Sequence, residues 1–548
     1  MNIIEQIQQH FIEHIVNVLS LDKETASTAR LTLNSDPAKQ EFGDLNSNIA
    51  LILSKQLKRK PHEIAQQIIS TYTHECIEKI EIAGPGFLNL HFSPHAITLL
   101  SQQLRTQGEN FFKPTNLQKQ SISVEFVSAN PTGPLHFGHG RGGIIGDVLG
   151  TILTFMGHHV TKEFYINDAG NQIVKLGESF KIRCQQLAGM DIEIPEDGYQ
   201  GEYLVELAQN FMVQEGKQRL DQPDEFFQSY AKTILLEKIK ETLNLYGIHF
   251  DVWFSEKTLH DSGAIEKALE FLAQQGTLYE KEGALWFAST NFGDDKDRVV
   301  RKASGELTYV AADIAYMINK VGRGCDQMIM TLGHDHHGYV ERLQGIRKAL
   351  HLTPPLHVIL YQLVKIKEDG QQVRLSKRAG RIISLDDVIK TVGKDVARFF
   401  YLNRKADAQL EFDLDLALKK SEENPVYYVQ YAFVRTGSIV QKAQAIAAFS
   451  NITTDDARFI SKEETFLLKK IVLLKELLES ISSTHQTHQL AYYTHELAQI
   501  FSSYYAKHKV IDPQDINRSR GRLFMTLLIR NTLQTCFNLL GISQPERM

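Results

Sequence analysis

The stretch Glu125-Phe126-Val127-Ser128-Ala129-Asn130-Pro131-Thr132-Gly133-Pro134-Leu135-His136-Phe137-Gly138-His139-Gly140 decides the fold of this chain. Its apolar start predicts a buried strand over Ser123 to Val127, and a helix is expected from about Gly138, after a loop with prolines and a glycine. Open α/β sheets bind ligands at the carboxyl ends of such strands, and a helix N-terminus offers free N–H groups to a phosphate. The stretch therefore predicts a nucleotide site.

Four residues of this stretch are candidates for contacting the nucleotide. Gly138 and Gly140 leave room for a nucleotide against the backbone, and His136 and His139 can donate to phosphate oxygens as negative charge develops. Taken alone, His-x-Gly-His is more often a chance string in a glycine-rich turn. Its position after a strand and before a helix favours the nucleotide site.

Further apolar runs downstream indicate a parallel sheet. Strands are predicted over Val160 to Ile166, Met328 to Leu332 and Val358 to Val364. Their alternation with helices implies parallel strands joined by right-handed crossovers. Residues 121–420 are therefore expected to form a Rossmann-like α/β domain. The charged and mostly helical segment at about 180–300 is interpreted as an insertion.

The region before this domain has a different pattern. Residues 1–110 indicate a small α+β domain, with a hairpin around Gly84-Pro85-Gly86. A helix over Asn46 to Leu57 ends in a basic tip of Lys55, Lys58, Arg59 and Lys60. The polar stretch Gln107 to Gln120 is interpreted as a linker.

The region after the α/β domain shows helices only. Residues 421–548 indicate a helical bundle, in which Ser461 and Glu464 predict a capping box. An apolar stripe follows, and Lys469, Lys470 and Lys475 are expected to lie mostly off it. The stripe comprises Leu467, Ile471, Leu474, Leu478 and Ile481.

Composition limits the class of protein. The 548 residues carry 60 Lys+Arg against 65 Asp+Glu and are 43% hydrophobic, which excludes a disordered chain, a collagen and a disulfide scaffold. The net charge of −5 means that any nucleic-acid contact must come from local patches. The four cysteines form no CxxC and are expected to be buried thiols of a cytosolic protein. No apolar run is long enough to predict a membrane span.

A second motif lies far downstream of the first. After the turn signal Asp369-Gly370, the chain runs Val373-Arg374-Leu375-Ser376-Lys377-Arg378-Ala379-Gly380-Arg381. Ser, Lys, Gly and Arg on one loop make an anion clamp, and Lys377 can neutralise a leaving pyrophosphate. Alone, the segment would be a solvated basic turn, and only its pairing with the first motif favours the clamp.

Together the two motifs resemble a known family. Leu135 to His139 resembles the HIGH signature, and Arg374 to Arg378 the KMSKS signature, of class I aminoacyl-tRNA synthetases, although Arg374 and Leu375 replace the usual Lys and Met. Longer words resemble the arginyl-tRNA synthetase family of the bacterial type and cover essentially the whole chain. They are Glu125 to Arg141, Thr308 to Tyr316, Tyr428 to Ala432, Ala83 to Phe87 and Pro545 to Met548.

The resemblance implies an ATP-dependent ligation of L-arginine to tRNA(Arg) through arginyl-adenylate, with release of AMP and pyrophosphate. It implies a Rossmann-like catalytic domain between an α+β N-terminal domain and an all-α anticodon-binding domain. Ser376 and Lys377 would join His136, Gly138 and His139 in catalysis. Mg²⁺ is expected to accompany ATP without a structural metal in the protein. A cytoplasmic monomer without membrane contact is expected.

The resemblance also implies an arginine pocket. Asp313 and Tyr309 would meet the guanidinium, and their spacing puts both on one helix face. Glu256 is a second acidic candidate, Asn130 would hold the amino-acid end, and Glu125 is a weaker candidate nearby. The alternative for Asp313 is a solvated helix face, but its apolar neighbours favour partial burial.

Two other parts of the sequence suggest ligand contacts. His334-Asp335-His336-His337 suggests a metal site, but it lacks a partner cluster, so a wall of the amino-acid pocket is expected instead. Tyr505, Arg435 and Gln430 are candidate tRNA contacts, because loop bases stack on aromatic side chains and phosphates bind Arg. Arg518, Arg520 and Arg522 add positive charge to the same region.

Two rival classes remain open from the sequence. A small-molecule nucleotidylyltransferase also uses His-x-Gly-His, but such chains are usually far shorter and lack a helical C-terminal domain. An RNA-binding protein with an inactive synthetase fold would be expected to have lost His136, His139 or Lys377, which are all present. Arginine- and tRNA-dependent AMP formation separates the three classes.

Overall fold

The structure of the chain is a computed structural model that describes residues 2–115, 117–372 and 384–548. The chain divides into two compact units. The terminal unit comprises residues 1–117, 420–484 and 489–548, and the central unit comprises residues 118–419 and 485–488. The terminal unit thus joins the two end regions that the sequence analysis treats as separate domains.

The N-terminal part of the terminal unit is a four-stranded antiparallel sheet with helices, in the strand order β1-β2-β4-β3. The predicted hairpin is confirmed as the pair β3–β4. The elements are α1 Ile3–Leu19, α2 Lys23–Ala26, β1 Thr32–Leu33, β2 Leu45–Ser47, α3 Ile49–Leu57, α4 Pro61–Thr71, β3 Ile77–Ala83, β4 Phe87–Phe92 and α5 Pro94–Gln107.

The predicted linker after α5 is partly wrong. Its first residues, Gly108–Phe112, form a 3-10 helix in which Phe111 and Phe112 are buried. The stretch was predicted to be a linker because most of its residues are polar, although it contains this aromatic pair.

The central unit alternates strands and helices. Its elements are β5 Ser121–Glu125, α6 Phe137–Met156, β6 His159–Ile166, α7 Asn171–Leu187, α8 Glu202–Gln214, α9 Asp224–Leu245, β7 Val252–Ser255, α10 Lys257–Asp261, α11 Ala264–Gln274, β8 Leu278–Lys281, β9 Ala284–Phe287, β10 Arg298–Arg301, α12 Tyr309–Gly322, β11 Gln327–Gly333, α13 His337–Ala349, β12 Leu356–Tyr361, β13 Val364–Glu368, β14 Gln371–Gln372, α14 Leu385–Val392, α15 Lys394–Leu402, β15 Leu410–Asp413 and α16 Leu414–Leu418.

The predicted parallel sheet is confirmed. Five strands lie in the order β12-β11-β5-β6-β7, and every neighbouring pair is parallel. The chain builds outward from β5 to β7 on one side and then crosses to β11 and β12 on the other. The order reverses between β5 and β11, and ligands bind at the carboxyl ends of the strands beside such a reversal.

The strand predicted over Val358 to Val364 is corrected by the structure. β12 ends at Tyr361, and Val364 begins β13, which pairs with β14 and β15 in a separate sheet. A continuous apolar run cannot by itself show where one strand ends and another begins.

The expectation of a mostly helical insertion at 180–300 is also corrected. Helices α7, α8 and α9 do pack around a common apolar core that includes Phe180, Phe211 and Phe227. However, β7 is the fifth strand of the parallel sheet, and β8, β9 and β10 form an antiparallel sheet of their own. Strands of four residues are too short to show a periodicity.

The C-terminal part of the terminal unit confirms the helical pattern. Ser461 and Glu464 form the predicted capping box, at a 3-10 helix that leads into α18. All five residues of the predicted apolar stripe are buried. The helices are α17 Pro425–Gln444, α18 Thr465–Thr484, α19 His488–Lys507 and α20 Ile516–Leu540.

The lysines expected off the stripe of α18 are in fact buried. Each of them is less than a tenth exposed and forms an ion pair with a carboxylate. The pairs are Lys469 with Asp44 (2.9 Å), Lys470 with Glu496 (2.6 Å) and Lys475 with Glu5. Two of these carboxylates come from residues 1–117, which hydrophobicity patterns within α18 could not reveal.

Two further expectations concern cysteines and the membrane. All four cysteines are free thiols, and Cys76, Cys184 and Cys536 are buried whereas Cys325 is half-buried. Among the described residues, the helices include none that is both long and apolar enough to span a membrane.

We predict that Asp44→Ala lowers the free energy of unfolding by about 3–5 kcal/mol, because it leaves the buried Lys469 ammonium without its counter-charge. Asp44 also accepts a hydrogen bond from the backbone N–H of Phe92, at 2.8 Å. The measurement is urea unfolding of the full chain. The control is Asp261→Ala, which removes an exposed ion pair with Lys257 and is expected to cost under about 1 kcal/mol. If both variants lost the same free energy of unfolding, burial of the Asp44–Lys469 pair would not contribute to stability.

Candidate active site

A cavity of about 560 Å³ lies at the carboxyl ends of the parallel strands. This volume falls in the range typical of small-molecule sites. Residues that follow β5, β6, β7 and β11 line it, together with one face of α12 and the N-terminus of α6. The reversal of strand order between β5 and β11 therefore positions the cavity.

The N-terminus of α6 carries two histidines whose side chains cap the helix. His136 Nδ1 accepts the N–H of Gly138 at 3.0 Å, and His139 Nδ1 accepts the N–H of His136 at 3.2 Å. The two rings lie 3.8 Å apart, and both line the cavity. Because Nδ1 accepts in each neutral ring, the proton resides on Nε2, which remains free to donate to a ligand.

Both histidines are held in the neutral form. Removal from water lowers the pKa of His139 to about 3, with a further contribution from the neighbouring His136. Burial also lowers the pKa of His136, and the charge of Asp335 opposes this effect. At neutral pH the pair therefore offers hydrogen-bond donors to an anion without carrying positive charge.

The two predicted glycines differ in their surroundings. Gly138 lines the cavity. Gly140 instead packs against protein, because a Cβ there would lie 2.6 Å from Leu385 and 2.8 Å from the ring of Tyr401. The missing side chain at Gly140 thus allows close packing of α6, whereas the sequence analysis assigned it to the nucleotide.

One face of α12 forms another wall of the cavity. Tyr309, Asp313, Tyr316 and Lys320 follow the helical spacing i, i+4, i+7 and i+11, and all four line the cavity. The sequence analysis named only the first two. The same 3.6-residue period, extended by two turns, would have identified Tyr316 and Lys320.

Asp313 has a strongly perturbed carboxyl group. Burial raises its pKa to about 7, and the charges of Glu256 and Glu125 act in the same direction. The hydroxyl of Tyr339 donates to Asp313 Oδ2, and the charge of Arg342 also opposes the shift. The Arg342 guanidinium lies over the Tyr339 ring, 4.5 Å from its centre. Tyr339 and Arg342 come from α13, and the sequence analysis missed both.

Glu256 follows β7 and is the second acidic group of the cavity. It is 4% exposed, and burial raises its pKa. Tyr165 donates a hydrogen bond to its carboxylate, and His260 Nε2 lies 3.6 Å from Oε1. The backbone N–H of Glu256 donates to the carbonyl of Ile166, which ties the residue to β6.

Glu125 ends β5 and is engaged by protein donors on both oxygens. Ser128 Oγ donates to Oε1 at 3.1 Å, whereas Oε2 accepts from the Tyr316 hydroxyl at 3.1 Å and pairs with Lys320. Val127 and Ser128 both adopt positive φ angles, of 66° and 40°. For a β-branched residue this is a strained conformation, and such strain is concentrated at functional sites.

Asn130 lies further along the same loop. It is exposed and lines the cavity, and its role in holding the amino-acid end stays a prediction. Asn167 and Gln172 also line the cavity, and the sequence analysis missed them. Asn167 Oδ1 and Gln172 Oε1 are buried and have no hydrogen-bond partner among the described residues. They add uncharged acceptors to the site.

Ser376 and Lys377 lie outside the described residues. The first described residue after them is Ser384, which forms an isolated β-bridge with His136. The N–H of Leu385 donates to the carbonyl of Leu135 at 2.8 Å. Ser384 and Leu385 therefore lie directly beside the first sequence motif.

The segment 334–337 contributes to the cavity wall through Asp335 and His336. Over residues 2–115, 117–372 and 384–548, no group of three or more His, Cys, Asp or Glu side chains is arranged to hold a metal ion.

The candidate tRNA contacts lie in the terminal unit. The Arg435 guanidinium lies over two rings, 5.0 Å from the centre of Tyr505 and 4.7 Å from that of Tyr431. Tyr505 is half-buried. Gln430 Nε2 donates to the carbonyl of Ser543 at 3.3 Å.

Not every basic residue of this region is available to a ligand. Arg520 pairs with Asp456 at 2.6 Å, and Arg522 is buried beside Glu464. These two arginines stabilise the helical fold. The expectation that they add positive charge for tRNA binding is therefore corrected. Arg518 is more exposed but pairs with Glu463. By contrast, the basic tip over residues 55–60 is exposed in all four of its charged residues.

The sheet, the helix N-terminus and the cavity at the strand reversal define a class I tRNA synthetase catalytic domain. A family model described as "tRNA synthetases class I (R), catalytic domain" matches residues 100–411. Models described as "Arginyl tRNA synthetase N terminal domain" and "DALR anticodon binding domain" match residues 3–92 and 429–548.

Relatives across the whole chain identify the family. An arginine–tRNA ligase of Caldanaerobacter subterraneus subsp. tengcongensis is 42% identical over 94% of this chain and 93% of its own. That of Oceanobacillus iheyensis is 37% identical over 100% of both chains. A crystal structure described as a putative arginyl-tRNA synthetase from Campylobacter jejuni has a TM-score of 0.76 and 32% identity, over 83% of this chain and 100% of that one.

The chain therefore belongs to the arginyl-tRNA synthetase family, whose members join arginine to tRNA in an ATP-dependent reaction.

We predict that Gly140→Ala lowers the free energy of unfolding by about 1–3 kcal/mol, because the added methyl group overpacks against Leu385 and Tyr401. The Tyr401 ring is fully buried, and its hydroxyl donates to the carbonyl of Phe137, so it has little room to move. Chemical denaturation measures the change. Gly338→Ala is the matched control, since it also lies in a first helical turn but faces open space. There, alanine is expected to stabilise the helix by about 0.5–1 kcal/mol. A stabilising Gly140→Ala would contradict the packing account.

Proposed function

We propose that the cavity of the central unit carries out the ligation in two steps. The carboxylate of arginine attacks the α-phosphorus of ATP, which gives arginyl-adenylate and pyrophosphate. The 3′-terminal ribose of tRNA(Arg) then takes the arginyl group and releases AMP. One observation carries the proposal: a single cavity holds a helix N-terminus with two neutral histidines and, on its other walls, the carboxyl groups of Asp313 and Glu256.

The phosphate side of the reaction is assigned to the start of α6. The positive end of the helix dipole favours the triphosphate there. His136 and His139 donate through Nε2 to phosphate oxygens as negative charge develops on them. Gly138 lets the phosphates approach the backbone. Gly140 supports the same geometry by packing α6 in place.

The arginine side is assigned to the acidic walls. The guanidinium carries five N–H donors in a planar fork, which suits the separated carboxylates of Asp313 and Glu256. Tyr309 covers the side chain from one turn earlier on α12, and Asn130 holds the amino-acid end. Glu125 contributes to this side only indirectly, because its oxygens already accept from protein donors and one of them pairs with Lys320.

The leaving pyrophosphate is assigned to Ser376 and Lys377. This assignment rests on the resemblance of their segment to the KMSKS signature, and it is supported by the contact of Ser384 with His136. Mg²⁺ enters with ATP, held mainly by phosphate oxygens and water, since this ion gives up its water reluctantly.

The terminal unit is assigned to tRNA binding, through residues 1–110 and 421–548. The exposed basic tip at residues 55–60 supports a contact with the phosphate backbone. Tyr505, Arg435 and Gln430 are assigned to the anticodon loop, since stacked Tyr and Arg side chains bind unpaired bases. The family resemblance supports a monomer acting in the cytoplasm.

The direct test is release of AMP from ATP with tRNA(Arg) and one amino acid at a time. We expect AMP release and arginyl-tRNA formation only when arginine and tRNA are both present. Transfer of the nucleotidyl group to a small molecule without tRNA would favour the nucleotidylyltransferase. Binding of tRNA without any AMP release would favour an inactive synthetase fold.

We predict that Lys377→Ala lowers kcat and kcat/KM together by about 10²–10³-fold, as expected for a charge that acts mainly in the transition state. ATP binding should change much less. The measurement is steady-state aminoacylation with ATP titrated, and Lys390→Ala is the control, because it removes an exposed lysine of α14 outside the cavity lining. Equal activity of Lys377→Ala and parent would remove Lys377 from the site.

We predict that kcat/KM for arginine falls about tenfold between pH 8 and pH 6, while the KM for ATP stays nearly constant. A carboxyl group with a raised pKa of about 7 is mostly ionised at pH 8 and mostly neutral at pH 6. Only the ionised form pairs with a guanidinium, so binding weakens as the pH falls. The measurement is aminoacylation with arginine titrated at saturating ATP and tRNA.

Asp313→Asn separates Asp313 from the other acids of the cavity. It is expected to lower kcat/KM for arginine severely, which corresponds to a loss of about 2–5 kcal/mol of transition-state stabilisation. It should also abolish the pH dependence. A pH dependence that persists in this variant would assign the titration to another group, with Glu256 the first alternative. A flat profile in the parent would contradict a role for Asp313 ionisation.

A further inference from the structure

The floor of the cavity contains a buried lysine that the reaction does not use. Lys320 is 3% exposed, and its ammonium group forms an ion pair with Glu125. The same ammonium lies 4.7 Å from the centre of the Tyr316 ring. Lys320 and Glu125 both line the cavity. A buried charge of this kind is maintained only when its partner is held in place.

A second ion pair is linked to the first through Tyr316. Glu163 is fully buried and pairs with Arg323, whose guanidinium nitrogen lies 2.7 Å from Oε2. The Tyr316 hydroxyl contacts both Glu125 and Glu163 and so links the two pairs. The two carboxylates and the two basic side chains of these pairs have a net charge of zero before any substrate binds. Three other carboxyl groups line the cavity. Asp335 acts on His136 through its charge, whereas the charge of Glu256 acts on Asp313, so Asp313 and Glu256 form the acidic pair that an incoming cation meets.

We propose that Lys320 is a specificity-determining positioning residue: its ammonium group occupies Glu125 and thereby denies that carboxylate to the ammonium group of lysine. This inference rests on the proposed assignment of the cavity to arginine. Lys320 acts through Glu125 and does not touch the reacting atoms.

The physical argument concerns which cation the cavity can satisfy. Without Lys320, the buried carboxylate of Glu125 would need another cation as its partner. The side chain of a bound lysine could supply that partner, because it ends in the same ammonium group as Lys320. With Lys320 in place, a lysine side chain that enters beside α12 meets Asp313 and Glu256, whose arrangement suits the planar fork of a guanidinium. Charge alone cannot separate the two amino acids, so the internal ammonium supplies part of the discrimination.

The test compares arginine with lysine as substrates of the full chain. Steady-state aminoacylation of tRNA(Arg) is measured for the parent, Lys320→Met and Lys320→Arg. In Lys320→Met, the ratio of kcat/KM for arginine to that for lysine should fall by at least about tenfold, through a gain for lysine as well as a loss for arginine. Lys320→Arg keeps a positive charge beside Glu125 and should give a higher ratio than Lys320→Met.

Lys469→Met is the control for loss of a buried ion pair. Lys469 is as deeply buried as Lys320 and pairs with a carboxylate, but it lies in the terminal unit. Its removal should lower stability and leave the ratio unchanged. A fall of less than about tenfold in Lys320→Met, or an equal fall in Lys469→Met, would overturn the proposal.

Two further measurements keep the test decisive. If Lys320→Met does not fold, Lys320→Gln replaces it, since the amide still donates to Glu125 but carries no charge, and the same fall is expected. If turnover of lysine is too slow, its inhibition constant against arginine gives the same comparison. A parent that fails to charge arginine would instead contradict the proposed function, independently of Lys320.

Discussion

The close contact between helix α6 and the parallel sheet is the constraint on which the site depends. Glycines on several faces of this helix bring it against large side chains: a Cβ at Gly142 would lie 2.5 Å from the Tyr361 ring, and one at Gly146 would clash with Phe126. On the same helix, Arg141 is fully buried and donates to three backbone carbonyl groups in the loops after β12 and α15, those of Gln362, Lys405 and Ala408. This packing holds the N-terminus of α6 at the carboxyl edge of the sheet, where its two histidines line the cavity.

The second determinant of the site is the distribution of charge around the cavity. One end offers uncharged donors, because the pKa of His139 is lowered to about 3. The other end holds carboxyl groups whose pKa values are raised by burial, at Asp313 and Glu256. Under the proposed function, the phosphates bind beside the histidines and the guanidinium beside Asp313 and Glu256, so the reacting carboxylate and α-phosphorus would meet between them. Lys320 keeps Glu125 neutralised within the protein.

Much of this arrangement could be predicted from the sequence, and the failures have physical reasons. The strand, loop and helix over 125–140 follow from local patterns. Asp313 and Tyr309 were expected from the family resemblance, and their helical spacing puts both on one face. Tyr339 and Arg342 reach Asp313 from another helix, a contact that no local pattern encodes. The lysines of α18 were predicted to lie off the buried stripe, because the sequence of the helix does not show their carboxylate partners. Asp44, which pairs with Lys469, lies far away in the chain. The segment with Ser376 and Lys377 lies outside the described residues, so its assignment still depends on the sequence motif.

The most direct test of the account is a structure of the chain with a non-hydrolysable arginyl-adenylate analogue, such as arginyl-sulfamoyl-adenosine. The account predicts that the guanidinium lies within hydrogen-bond distance of Asp313 and Glu256. It also predicts that His136 or His139 donates from Nε2 to the group that replaces the phosphate. A guanidinium bound elsewhere, or an adenylate group away from the N-terminus of α6, would contradict it.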